Sequence, residues 1–195
     1  MMEFISTFIS ASLIALFLQN AIYERALGIN ILLYASRKKK DVIGFALGLT
    51  YITTISSALV WVSDRFFWDF EYYNLIIPVL YILIVSIIYV VSLLVVWRYF
   101  PKLYWQIKKF VHLTVFNCSV LGALFLNRQI GESFFSYIGY GMGTALGFFL
   151  AGSLLYIAYE RLNSELVPKA FRGMPIMLIY VGVISMALHA FVGYA

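Results

Sequence analysis

Charged residues divide the chain into long apolar stretches instead of marking one face of each segment. Runs free of Asp, Glu, Lys and Arg cover 4–23, 26–36, 42–63, 72–97, 110–127, 133–159 and 173–195. A helix needs about 20 predominantly apolar residues to cross ~30 Å of hydrocarbon. The last five runs meet that requirement, with 110–127 slightly short. Residues 4–36 taken together would make a helix about 50 Å long at ~1.5 Å per residue, too long for one straight crossing and too short for two. Glu24, Arg25 and Gly28 interrupt that stretch, which predicts one crossing made of a main helix and a short, broken second piece. Unwound backbone inside a membrane is tolerated only where protein or a polar cavity covers it, so the break marks a place of interest.

Six crossings make this an all-α integral membrane chain and put segments 37–41, 98–109 and 160–172 on one side. Those segments carry 11 of the 14 Lys and Arg, against Arg65 and Arg128 on the other side and Arg25 in the broken span. By the positive-inside rule the rich side is cytoplasmic and both termini face outward. The halves also resemble each other. Ile43-Gly44-Phe45-Ala46-Leu47-Gly48 matches Ile138-Gly139-Tyr140-Gly141-Met142-Gly143, and an intramembrane asparagine precedes each motif, Asn20 and Asn117. Small residues four apart are common on membrane helices, but both halves also begin with a short or broken element and continue with a glycine-rich helix. The prediction is one membrane domain, 1–195, of two three-helix repeats (about 1–97 and 98–195) with broken first and fourth helices. An odd number of spans inverts the second copy, and inverted repeats place a site at mid-membrane between the interrupted elements. That directs attention to residues 19–30 and 112–122.

Composition agrees: 63% of residues are hydrophobic, 12% are charged and the mean hydropathy is +0.91, roughly half the charge density of a soluble domain. The net charge of +5 suggests nucleic acid only until the cations are located; they flank apolar runs, as membrane anchors do. Trp61, Trp68, Trp97, Trp105, Tyr99 and Tyr104 fall near span ends, as an aromatic belt requires. The opening Met1-Met2-Glu3-Phe4 lacks the cationic n-region of a signal peptide, so its apolar stretch is expected in the mature protein. There is no hydrolytic triad candidate, HExxH or phosphate loop, which excludes a stand-alone enzyme of those classes.

The candidate chemistry lies at the two interruptions. An amide side chain in hydrocarbon must be hydrogen-bonded, so Asn20 and Asn117 read either as part of a ligand or ion site or as glue between helices. Glu24 and Arg25 are functional if deep and inconsequential if interfacial; the sequence leaves their depth open. His189 reads as a hydrogen-bonded core histidine in preference to a proton relay, and His112 as interfacial. Cys118 is the lone cysteine, which rules out an internal disulfide and any metal site built from this chain's thiols alone. It is either a buried apolar filler or half of a cluster site completed by another subunit.

Three segments carry a family likeness. Asn117-Cys118-Ser119-Val120-Leu121-Gly122 resembles the T-N-C-x-V-L-G segment of the six-helix Rnf/Nqr membrane subunits. Val167-Pro168-Lys169-Ala170-Phe171-Arg172-Gly173 resembles the V-P-x-x-F-R-G segment before their last helix. Leu27-Gly28-Ile29-Asn30, followed by Ser36-Arg37-Lys38-Lys39, resembles their L-G-x-C stretch and basic loop. The likeness runs from about residue 13 to 194 and, with an outward N-terminus, is closer to the RnfA/NqrE branch than to the RnfE/NqrD branch. It implies a subunit paired with an RnfE/NqrD-like paralogue in opposite orientation in the cell (inner) membrane, the pair holding a [2Fe-2S] cluster on two cysteines from each partner. It further implies electron transfer between flavin and iron–sulfur subunits, coupled to Na⁺ or H⁺ movement. Cys118 matches the second family cysteine, but the first falls at Asn30. A neutral amide is a poor substitute for a thiolate at iron, so Asn30 is expected to approach a cluster site without ligating it. The alternative is a divergent paralogue that keeps the fold without the cluster, as a membrane carrier or assembly subunit.

Overall fold

A computed structural model of the chain describes residues 2–67, 72–102, 104–130 and 133–192; Trp68 and residues 193–195 lie outside them. Among the described residues the only regular structure is helical. The elements are α1 (Met2–Leu13), running into a π turn (Ile14–Leu18), α2 (Ile29–Ala35), α3 (Lys39–Phe67), α4 (Tyr73–Tyr99), α5 (Tyr104–Val115), α6 (Cys118–Ile130), α7 (Phe134–Leu162) and α8 (Met174–Val192). Three helices, α3, α4 and α7, are long and apolar enough to cross a membrane. The α5–α6 pair, bent by 50°, makes a fourth crossing if counted as one, and Glu3–Leu18 and Met174–Ala190 are shorter apolar helices. The chain is a multi-pass membrane protein.

Both predicted interruptions, the first from the charge pattern and the second from the repeat, are present. The first leaves residues 19–28 outside regular helix, and the second falls at Phe116 and Asn117 between α5 and α6. Pro175 is the second residue of α8, where a missing N–H costs little, whereas Pro78, the sixth residue of α4, lies inside its helix and removes one intrahelical bond.

At the centre α3 packs along α7, with α1 on the other side of α7 and α5 against α3. Each of the two central helices has 29 residues, and their starts lie 95 positions apart, the same offset as the glycine motifs. The glycines explain who touches whom. A Cβ on Gly44 or Gly48 of α3 would run into Phe110 or Thr114 of α5, and one on Gly139 or Gly143 of α7 into the backbone of Phe8 or Ser12 of α1. Each glycine pair therefore seats two residues, four apart, of a broken helix from the other half of the chain. Small residues permit that approach where the solvent gives no hydrophobic push between helices. Ser12 fixes the register on α7 by donating its hydroxyl to the Gly139 carbonyl at 2.8 Å. α4, by contrast, is apolar on nearly every side and exposes Leu75, Val79, Leu83 and Val90, as a helix bathed in lipid does.

Candidate functional site

The first break is organised by Asn20, which is only 2% exposed. Its amide nitrogen donates to the Leu16 carbonyl at 2.8 Å, and its Oδ1 accepts the backbone N–H groups of Ile22 at 3.0 Å and Tyr23 at 3.2 Å. The side chain thus satisfies backbone groups that the end of the π turn leaves over, as buried polar backbone requires. It neither bridges to another helix nor points free into a cavity. Ala26, with φ of 54°, and Gly28, with φ of 80°, turn the chain into α2.

The second break uses Asn117 as the N-cap of α6, its Oδ1 accepting the Ser119 N–H at 3.0 Å, the usual role of asparagine at that position. Its Nδ2 is buried without a hydrogen-bond partner. The two breaks meet here. Ser119 donates its hydroxyl to the Leu27 carbonyl at 2.7 Å, and the Gly28 N–H points at Cys118 Sγ, 3.3 Å away. A Cβ on Gly28 would strike the Ser119 hydroxyl and lie 2.6 Å from Asn117 Oδ1, so both the positive φ and the close approach demand glycine.

Depth follows from α7. A Cβ on Gly147 would lie 2.7 Å from Asn20 Nδ2, and Gly147 is one residue from the middle of that helix. The first break therefore lies level with the middle of α7. Glu24, whose N–H donates to the Asn20 carbonyl at 3.0 Å, lies within a turn of that level, as does Arg25, 3.9 Å from it across the pair.

One expectation about a single residue is corrected. His189 is not a core histidine: it is exposed and lines a cavity of about 700 Å³ between the first break and α8, shared with Asn20 and Glu24. Of the two readings left open for Cys118, the buried filler does not fit: its side chain is exposed as the first residue of α6, and it lines a smaller cavity of about 220 Å³ with Asn117 and with Val85 and Ser86 of α4. Asn30 is likewise exposed, two residues beyond Gly28 in the first turn of α2. His112 is exposed and hydrogen-bonded to the Tyr89 hydroxyl at 2.9 Å.

A [2Fe-2S] cluster needs four thiolates, or two with two histidines. This chain offers one outward-facing thiol, and no group of three or more His, Cys, Asp or Glu among the described residues could hold a metal ion. The donor set fits one ligand of a shared site and not a complete site.

Pattern reading misses a polar cluster between α3, α4, α6 and α7. Asp64 is 4% exposed and accepts the hydroxyls of Tyr81 at 2.9 Å and Tyr137 at 3.0 Å. Two turns along α3, the Asn127 amide donates to the Ser57 hydroxyl and the Tyr137 carbonyl. Asp64 ends a charge-free run in the sequence and so reads as loop. Its i, i+7 spacing from Ser57 on one face of a continuous helix is the available signal.

A family model described as "Rnf-Nqr subunit, membrane protein" matches residues 8–195. The chain is 32% identical to the A subunit of the ion-translocating oxidoreductase complex of Azoarcus sp. (strain BH72), covering 89% of this chain and 90% of that one. It is 32% identical to the subunit of the same name from Syntrophotalea carbinolica, over 92% and 93%. It is 30% identical to the A subunit of the Na(+)-translocating ferredoxin:NAD(+) oxidoreductase complex of Acetobacterium woodii, over 96% and 97%. With the central glycine-seated helix pair, the two interruptions and end-to-end similarity of this kind, the chain belongs to the Rnf-Nqr family of membrane subunits.

Proposed function

We propose that this chain is the membrane subunit of a complex that couples electron transfer to Na⁺ or H⁺ translocation, and that Cys118 flanks an intramembrane [2Fe-2S] site shared with a paralogous RnfE/NqrD-like subunit. In this reading the chain makes six crossings as two inverted three-helix repeats, 1–97 and 98–195, in the inner membrane with both termini outside. The exchanged seating of α1 on α7 and of α5 on α3 supports the repeat. The names of the similar proteins, all subunits of ion-translocating oxidoreductase complexes, support the coupling and the presence of further subunits.

The observation that carries the redox half is the setting of Cys118. Its sulfur is exposed on the outside of the bundle, sits at the N-terminus of a helix and accepts the Gly28 N–H. Positive helix ends and N–H···S contacts both complement the negative charge of a metal-bound thiolate, and an outward sulfur leaves the remaining ligands to a partner. A cluster there would supply one-electron transfer. This chain's own contribution is to hold one sulfur at a fixed level, with Ser119 and Asn117 pinning the start of α6.

Asn30 favours a second reading, a divergent paralogue that keeps the scaffold without a stable cluster. Three thiolates and an amide leave one iron under-ligated. The pair is purified anaerobically, and iron, sulfide and the electron paramagnetic resonance signal are measured with and without Asn30→Cys. Little stable cluster in the native pair and a clear gain in Asn30→Cys are expected. A full, stable cluster in the native pair defeats the under-ligation argument, and none in either version favours the carrier or assembly reading.

A further inference from the structure

Glu24 and Arg25 pose a physical problem. Their side chains are 37% and 44% exposed, yet they lie within a turn of Asn20, which sits against the middle of α7. Charged groups at that depth are not left facing hydrocarbon; they face water, protein or an ion. Glu24 does face something definite, the cavity of about 700 Å³ between the break and α8.

That cavity carries a few polar groups among largely apolar walls. Phe17 and Leu18 line it at the C-terminal end of the π turn, where their carbonyls have no backbone donor among the described residues. A helix C-terminus carries partial negative charge. Glu24 adds a carboxylate from the far side of the break, and His189 adds an imidazole from α8. Ser185 anchors α8 to this level by donating its hydroxyl to the Tyr23 carbonyl. A carboxylate beside the C-terminal end of a half-helix, level with the middle of α7, is a cation's environment and not an anion's. One carboxylate matches a single positive charge, whereas calcium and similar ions gather several.

We infer that the cavity bounded by Phe17, Leu18, Glu24 and His189 is a binding site for a monovalent cation of sodium size, separate from Cys118, with Glu24 as its charged ligand. Arg25 Nη2, 3.9 Å from Glu24 Oε1, competes for the same carboxylate, so cation binding and the Glu24–Arg25 contact exclude each other. The inference rests on the ion-translocation reading and supplies the ion's stopping place.

The test is equilibrium binding of ²²Na⁺ to the purified complex containing this chain, alongside Na⁺ movement during electron transfer in proteoliposomes. Glu24→Gln should weaken one equivalent of Na⁺ binding by on the order of tenfold or more, because a unit charge is lost from a poorly screened site. Arg25→Gln should tighten the same equivalent. The tightening protects the test from misfolding, since a collapsed protein gains no affinity. Absence of saturable Na⁺ binding overturns the site, and so does binding unchanged in Arg25→Gln. Na⁺ binding that follows the predicted pattern in a complex that moves no ion sinks the transport reading and leaves the site standing. Ion movement equal in the wild type and both variants sinks the site and leaves the transport reading standing.

Discussion

Replacing Asn20 by Ala removes a small side chain and uncovers three backbone groups at once. The Leu16 carbonyl and the N–H groups of Ile22 and Tyr23 all pair with it, at 2.8, 3.0 and 3.2 Å, in a residue 2% exposed. A buried polar group left unsatisfied costs about 1–3 kcal/mol. The neighbouring cavity lets some water reach the freed groups, so a loss of about 3–4 kcal/mol is expected. Asn117 occupies the corresponding break but makes one such bond, to the Ser119 N–H at 3.0 Å. Its replacement by Ala should cost about 1 kcal/mol, as loss of an N-cap usually does. The two variants therefore differ by about 2 kcal/mol or more, although both delete an asparagine from an interrupted membrane helix. Asn20→Asp keeps the two acceptor bonds, loses the donor and sets a carboxylate oxygen against the Leu16 carbonyl, so it should fall between wild type and Asn20→Ala. Reversible unfolding in mixed micelles, followed by far-ultraviolet circular dichroism, measures the ranking. If Asn117→Ala proves as destabilising as Asn20→Ala, the capping account of the first break is wrong.

Three further outcomes are expected. Gly28→Ala should cost about 2 kcal/mol or more through its positive φ and its clash with Asn117 and Ser119. Gly182→Ala, in α8 with nothing within 4 Å, should be neutral or gain up to about 1 kcal/mol, and thermal midpoints in detergent compare the two. Cys118 should react readily with a membrane-permeant maleimide in the chain expressed alone and be protected in the assembled complex; equal labelling in both would place the partner elsewhere. Reporter fusions after residues 40, 105 and 165 should all report cytoplasm, and one at 165 reporting the outside refutes the six-span count or its orientation.

The existence of the elements is legible in the sequence because span length and charge placement are set by the bilayer, and no tertiary detail is needed to count charge-free runs. The break near Gly28 is legible for the same reason: a stretch of 4–36 fits no whole number of crossings. What escapes is direction. Nothing in Asn20-Ala21-Ile22-Tyr23 says that the amide folds back onto its own backbone, because that depends on the π turn ending at Leu18. His189 reads as core because α8 is apolar at nearly every position; only the bulge of the first break shows that one side of it borders a cavity. Asp64 is lost to the opposite error. A charge at the end of an apolar run reads as loop, whereas α3 continues to Phe67 and turns the carboxylate inward onto Tyr81 and Tyr137.

The exchange between the halves bears on why one chain can host two unlike sites. Gly139 and Gly143 in the second half receive α1, while Gly44 and Gly48 in the first half receive α5, so each half seats the first piece of the other half's broken helix. Backbone contact through glycine tolerates little displacement, because interiors are close-packed and a misplaced methyl group already forces a shift. The α3–α7 pair thus helps to set the levels of the two interruptions, alongside the bonds of Asn20, Asn117 and Ser119 within them. Side chains at the breaks are then free to differ. Position 21, next to Asn20, is a buried Ala, while position 118, next to Asn117, is an exposed Cys. Glu24 and Arg25 follow the first amide, and Ser119 and Val120 follow the second. A carboxylate facing a cavity and a sulfur facing outward can differ on such a frame without disturbing each other's setting, as the two proposed sites need.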